Sequence, residues 1–219
     1  MSLADLLVDQ LTAAGVQHVF GVGGANIEDL FAAVQRRRPR IRAVLCKHEH
    51  GAATAASAYA RVSGGLGVVL ATSGGGAMNL VHALAEARAS HVPLLAIVGE
   101  PPSELQGAGA FQDTSGQGAS VDAAAVLGAA AGFCRRVEHA QDTMRLLDQA
   151  LAHIAAESSP AVLLISKDRQ QASVGARSER ESMLTAPSVP RLSGAAIHAA
   201  ARKQRKADLV APARLRAIG

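Results

Sequence analysis

Four polar or ionisable side chains stand in a row, Lys47-His48-Glu49-His50, between an apolar run, Ala43-Val44-Leu45-Cys46, and an alanine-rich stretch ending at Arg61. A pair of histidines suggests a metal, but two residues apart at a helix start they point in different directions. No C-x-x-C or H-E-x-x-H companion exists in the sequence. Glu49 alone is accounted for by the favourable field at the start of a helix. Two more stretches carry glycines in the manner of ligand-binding turns, GVGGAN (21–26) and TSGGGAMN (72–79). The first lacks the third glycine of a dinucleotide fingerprint, where Asn26 stands instead, and no acidic residue ends a second strand about 20 positions on. The second lacks the lysine of a phosphate-binding P-loop. Taken singly, each is a tight turn. Taken together, the three follow three apolar runs, and ligands of parallel sheets collect beyond the carboxyl ends of the strands.

The elements that must position these turns read as alternating helices and apolar strands, which predicts a doubly wound α/β fold. The sheet is expected to be six-stranded and mostly parallel, with helices on both faces. Helix 3–14 is capped by Ser2 and stopped by Gly15. Strand 16–22 follows, then a helix capped by Asn26 and running to Gln35, with Glu28 and Asp29 in its first turn. Residues 41–46 read as a short buried strand, and His48 to Val62 as a helix ended by Gly64-Gly65. Strand 66–72 leads through the glycine turn into a helix ending near Ser90, and strand 92–99 ends before Pro101-Pro102. Residues 103–120 lack periodicity, and a loop so long inside a compact domain is usually functional or mobile. A short helix and strand, a helix from Asp142 to Glu157 and a sixth strand over 160–168 complete the unit.

Composition narrows the function classes. Hydrophobic residues form 49% of the 219, and no apolar run is long enough to span a bilayer, so no membrane partner is expected. The N-terminus carries acids and no basic segment, unlike a signal peptide, and Cys46 and Cys134 sit in apolar surroundings without a disulfide framework. A cytoplasmic chain is the expectation. The net charge of +4 belongs to the tail: residues 1–168 hold 12 Lys/Arg against 15 Asp/Glu, and residues 169–219 hold 10 against 3. With one Tyr and four Phe there is little stacking surface, and nucleic acid is not an expected partner.

KHEHGAATAASAYAR, ATSGGGAMNLVHALAEA, VPLLAIVGE and GAFQDTSG, in that order, resemble the N-terminal pyrimidine-binding domain of thiamine diphosphate enzymes, most nearly the acetolactate synthase branch, over residues 2–170. That branch typically reads RHEQGA, ATSGPGATN and AFQE. The resemblance implies that Glu49 hydrogen-bonds N1′ of the cofactor's aminopyrimidine and so promotes loss of the proton from C2 of the thiazolium. It implies that Val22 packs near the pyrimidine beside Gly23 and Gly24, that Gly75 and Asn79 line the cofactor, and that Phe111 and Gln112 border the substrate channel. Glu49 and Gln112 are the implied catalytic residues, and no metal ligand is implied on this chain. Gly75 stands where a proline is usual, Met78 where a small hydroxyl residue is usual, and His50 where glutamine is commoner.

The family's diphosphate-domain motif GDG…N, which holds Mg²⁺, does not occur here. The implied picture is one half of a site for a 2-keto acid. Thiamine diphosphate and its Mg²⁺ would be completed by a diphosphate-binding domain of another chain, in a homodimer or hetero-oligomer, and FAD is not expected. Residues 171–192 read as a linker, and 193–219 resemble the opening helix of a middle domain or a basic docking tail. Two alternatives accompany this expectation: a split 2-keto acid decarboxylase subunit, and a truncated or non-catalytic remnant.

Overall fold

The computed structural model describes residues 1–174, so the expectations for the rest of the linker and for the tail lie outside the described residues. The elements are α1 (Leu3–Ala13), β1 (His18–Gly21), α2 (Glu28–Arg36), β2 (Arg42–Leu45), α3 (Glu49–Ser63), β3 (Gly67–Ala71) and α4 (Gly75–Met78). They continue with α5 (Val81–Ala89), β4 (Leu94–Glu100), α6 (Ala123–Ala131), β5 (Phe133–Arg136), α7 (Thr143–Glu157), β6 (Ala161–Ser166) and α8 (Lys167–Gln171). The six strands form one sheet in the order β2-β1-β3-β4-β6-β5, and every pairing is parallel. The chain leaves β1 toward β2 on one side and returns to β3 on the other. That reversal opens a crevice beyond the ends of β1 and β3.

β3, β4 and β6 are buried along their whole length, as expected of strands covered on both faces. Their residues alternate between two cores. Val68, Leu70, Leu95, Ile97, Leu163 and Ile165 face α1, α2 and α7, whose buried positions are mostly leucine, valine, isoleucine and methionine. Val69, Ala71, Ala96, Val98, Val162 and Leu164 face α3, α5 and α6, whose buried positions are mostly alanine. The small side chains bring α3 down onto the sheet, so that a Cβ on Gly67 would lie 2.4 Å from the Ala56 carbonyl oxygen.

Four features differ from the sequence expectation. Ser2 caps α1 as predicted, in a reciprocal arrangement with Asp5, and Gly15 follows with a φ of +88°. By contrast α2 has Ile27 at its N-cap with no side-chain cap, because the Asn26 amide is bonded elsewhere. β2 is not buried: among the described residues it is an edge strand, with Leu45 71% exposed. The single helix expected after the glycine turn is two, α4 and α5, broken at Asn79-Leu80. β6 ends at Ser166, and the polar run after it folds into α8 rather than leaving the domain. Residues 172–174 then pair with the N-terminus through Leu3 N–H to Ala172 O and Val174 N–H to Met1 O, both 2.9 Å.

Candidate functional site

Glu49 is the first helical residue of α3, and the predicted start at His48 moves by one because His48 is itself the cap. The His48 backbone is extended, and its Nδ1 accepts from the His50 amide at 3.2 Å. His48 therefore orients the helix start, while the His50 ring lies edge-on to His82 with centroids 6.0 Å apart. Among the described residues no three His, Cys, Asp or Glu side chains gather into a metal-holding group.

The Glu49 side chain turns inward and is only 8% exposed. Its Oε2 accepts from Nδ2 of Asn79 at 2.9 Å, a bond joining residues 30 positions apart. Asn79 is free to serve because it ends α4, where the chain bends into α5. The other oxygen, Oε1, faces the bare Cα of Gly76; a Cβ there would come within 3.1 Å of it and 2.9 Å from Thr72 Cγ2. A hydrogen bond to an ionised acceptor is about twice as strong as a neutral one, so Asn79 fixes the plane of the carboxylate. Ala52, Ala53 and Ala56, all fully buried, wall its helix from behind.

The first glycine turn meets the third through Thr72 and Ser73. A Cβ on Gly24 would lie 2.6 Å from Thr72 Cβ, the Asn26 amide N–H donates to Thr72 Oγ1 at 3.3 Å, and Asn26 Nδ2 donates to Ser73 Oγ at 2.7 Å. The same turn is held from below by α8. Gln170, buried in the core, donates Nε2 to Asn26 O at 2.8 Å, and Lys167 Nζ donates to Ala25 O at 2.8 Å and pairs with Glu28. β4 also approaches here, since a Cβ on Gly99 would overlap Asn26 O at 1.7 Å. Val22 is half-buried, whereas at Gly23 and at Gly75 a Cβ would meet nothing within 4 Å, which leaves the backbone open to a ligand.

Gln112 enters from the long loop. Gly74, at φ +68° and ψ −133°, adopts a conformation side chains avoid, and a Cβ there would lie 2.8 Å from Gln112 Cβ. Gln112 itself has a φ of +59°, so two unusual backbones meet to bring it to the α4 turn. Phe111 beside it is 76% exposed. The structure thus draws Glu49, Asn79, Gly24 and Gln112 to one end of the sheet. The sequence reading missed Gln170, Lys167, Thr72, Ser73 and Gly99. The signal available for two of them was a polar Thr-Ser pair closing an otherwise apolar strand.

Comparison with known proteins agrees with this geometry. Residues 1–120 match the family model described as thiamine pyrophosphate enzyme, N-terminal TPP binding domain. Over 111 residues the chain is 49% identical to probable acetolactate synthase 2, chloroplastic, of Oryza sativa subsp. japonica, which covers 51% of this chain and 17% of that protein. It is 48% identical over 111 residues to acetolactate synthase 1, chloroplastic, of Zea mays, with the same coverage. The acetolactate synthase of Arthrospira platensis matches at 48% over 111 residues, which is 49% of this chain and 19% of that protein. The chain thus spans about a fifth or less of these curated relatives. An all-parallel sheet with a buried, asparagine-held glutamate at its switch point, together with a family match over more than half the chain, means that this chain belongs to the thiamine pyrophosphate enzymes through their N-terminal TPP-binding domain.

Proposed function

We propose that residues 1–170 form the pyrimidine-binding half of an acetolactate synthase-like site acting on 2-keto acids. The observation that carries this reading is the Glu49 carboxylate, buried and fixed by Asn79 on one oxygen, with the other against the bare Cα of Gly76. That donor and acceptor set fits an aminopyrimidine, whose ring nitrogen needs a proton-sharing carboxylate in a site shielded from water. When bound, thiamine diphosphate supplies an acidic C2–H and an electron sink for decarboxylation. Glu49 holds the proton at the ring nitrogen, Asn79 keeps the carboxylate oriented, and Gly23 and Gly75 leave room for the ring against the backbone. Gln112 stands where the substrate's reacting end would meet this rim.

Mg²⁺ is usually held by one or two carboxylates together with the phosphates it bridges, and in this reading both belong to a diphosphate-binding domain of a second chain, a homodimer mate or a different subunit. Exposed Leu45 at the end of β2 and exposed Phe111 on the long loop are apolar surface for such a partner to cover. FAD is not assigned to this chain, and cytoplasmic residence is the accompanying proposal. Among the described residues no helix is long and apolar enough to cross a membrane. Calorimetric titration of thiamine diphosphate with Mg²⁺ tests the reading, using the full chain with and without a candidate diphosphate-domain protein. Binding is expected only in the mixture. Tight binding by the chain alone would overturn the half-site.

A further inference from the structure

The loop between β4 and α6 is stitched at both ends by charge. At its start the Ser103 amide and hydroxyl donate to the Asp168 carboxylate at 3.0 and 2.7 Å, and Arg169 closes over both residues. At its finish the Ser115 and Asp122 backbones form an antiparallel bridge, and Ala123 N–H donates to Thr114 O at 2.9 Å. In the middle Asp113, next to Gln112, accepts from the amides of Gly107 and Ser115 at 2.7 and 2.9 Å.

The finish is anchored to a charge that general principles would not place there. Glu100, the last residue of β4, is 0% exposed. Arg136, the last residue of β5, donates to it through Nε at 2.9 Å and Nη2 at 2.9 Å. β6 lies between these two strands, so the pair reaches across it, over a backbone span of about 10 Å given the usual strand spacing. Burying a carboxylate costs several kcal/mol, and a well-packed apolar pair is often as stable or more so. Stability alone therefore does not account for the pair. What an apolar pair would not supply is the third contact: Arg136 Nη2 reaches Asp122 Oδ1 at 3.3 Å. That same Oδ1 caps α6 by accepting from Ala124 N–H at 2.9 Å.

We propose that Glu100 and Arg136 are positioning residues that, through Asp122, set the register of the loop so that Gln112 is pressed against Gly74 at the cofactor end of the sheet. The buried carboxylate locks the guanidinium in place, the guanidinium locks Asp122, and Asp122 fixes both the first turn of α6 and the bridge to Ser115. Three residues before that bridge stands Gln112. The functional weight of Gln112 rests on the half-site reading above, but the placement of the loop does not.

Amide hydrogen exchange on the full chain tests this without cofactor, so failure of the half-site reading leaves the test intact. In Glu100→Met/Arg136→Met, stability to urea should match or exceed that of the original chain, and exchange in β3 and β4 should be unchanged. Amides of residues 112–116 should nevertheless exchange at least tenfold faster. Restored stability with undiminished protection of the loop would overturn the proposal. Should the double variant fail to fold, Asp122→Asn keeps an α6 cap while weakening the link to Arg136. Faster exchange confined to 112–116 there supports positioning, and unchanged exchange rejects it.

Discussion

The two faces of the sheet are built from different materials. On one, leucine-rich α1, α2 and α7 pack large side chains against the strands. On the other, alanine-rich α3, α5 and α6 lie close, with Gly67 almost touching the Ala56 carbonyl. The leucine face supplies buried apolar area, hence most of the stability, at roughly 25 cal/mol per Å². The alanine face supplies proximity: only there do Glu49 at the start of α3 and Asn79 before α5 come within a hydrogen bond. Large side chains stabilise, and small ones allow a site to be assembled from backbone that must approach closely.

The difference can be broken most forcefully at Glu49. Glu49→Gln should lower turnover of a reconstituted enzyme by about a thousandfold, within the range of lost acid–base catalysis, with the urea midpoint unchanged. An active variant would remove the chemical meaning of the alanine face. Leu30→Ala, at a fully buried position of the leucine face, should destabilise by about 2–5 kcal/mol in urea unfolding without altering exchange at Asn79. Ala53→Leu, on the opposite face and equally buried, should cost about 1–3 kcal/mol through overpacking. It should also disturb the NMR signal of the Asn79 side-chain amide, which the Leu30 variant leaves in place.

The smallest effects concern charge. Outside the leucine face Asp5 binds Arg36 and Arg37, each at 2.7 Å, tying α1 to α2. Burial raises the Asp5 carboxyl, but the two guanidinium hydrogen bonds and those from Ser2 outweigh it and hold it well below its usual 3.8. A depressed folded-state value means the pair stabilises above about pH 4 and is lost as pH falls through and below 3.8. Asp5→Asn should therefore cost about 1 kcal/mol at pH 7, and the gap to the original chain should narrow as the pH falls below 3.8. The Arg61–Glu86 pair that links α3 to α5 is about half exposed on both sides. Glu86→Gln should change stability by less than about 0.5 kcal/mol. A larger effect would mean that the alanine face, too, is held by charge.

Periodicity made the α/β class and all six strands legible, the central ones because strands buried on both faces leave continuous apolar runs. It misread β2 as buried, since Ala43-Val44-Leu45 is as apolar as the central strands and edge position leaves no mark on composition. Asn26 was read as a cap because Asn is a good one, but its Nδ2 is drawn to Ser73 Oγ, 47 residues on, and α2 starts without a side-chain cap. Glu49, Gly24, Asn79 and Gln112 were named from motifs, and the structure brings them to one rim. Gln170 was missed because nothing in a polar run after a strand marks which amide turns inward, and here that amide is the prop beneath Asn26.

The sequence by itself determined which elements form, through local periodicity, caps and turns, and it named the glutamate. Only the tertiary structure decided what that glutamate touches. The bond from Asn79, the Gly76 gap and the Gly74–Gln112 contact all depend on how near α3, α4 and the long loop lie to one another. That nearness follows from alanine packing, buried charge and strand order, each of which joins residues far apart in the chain.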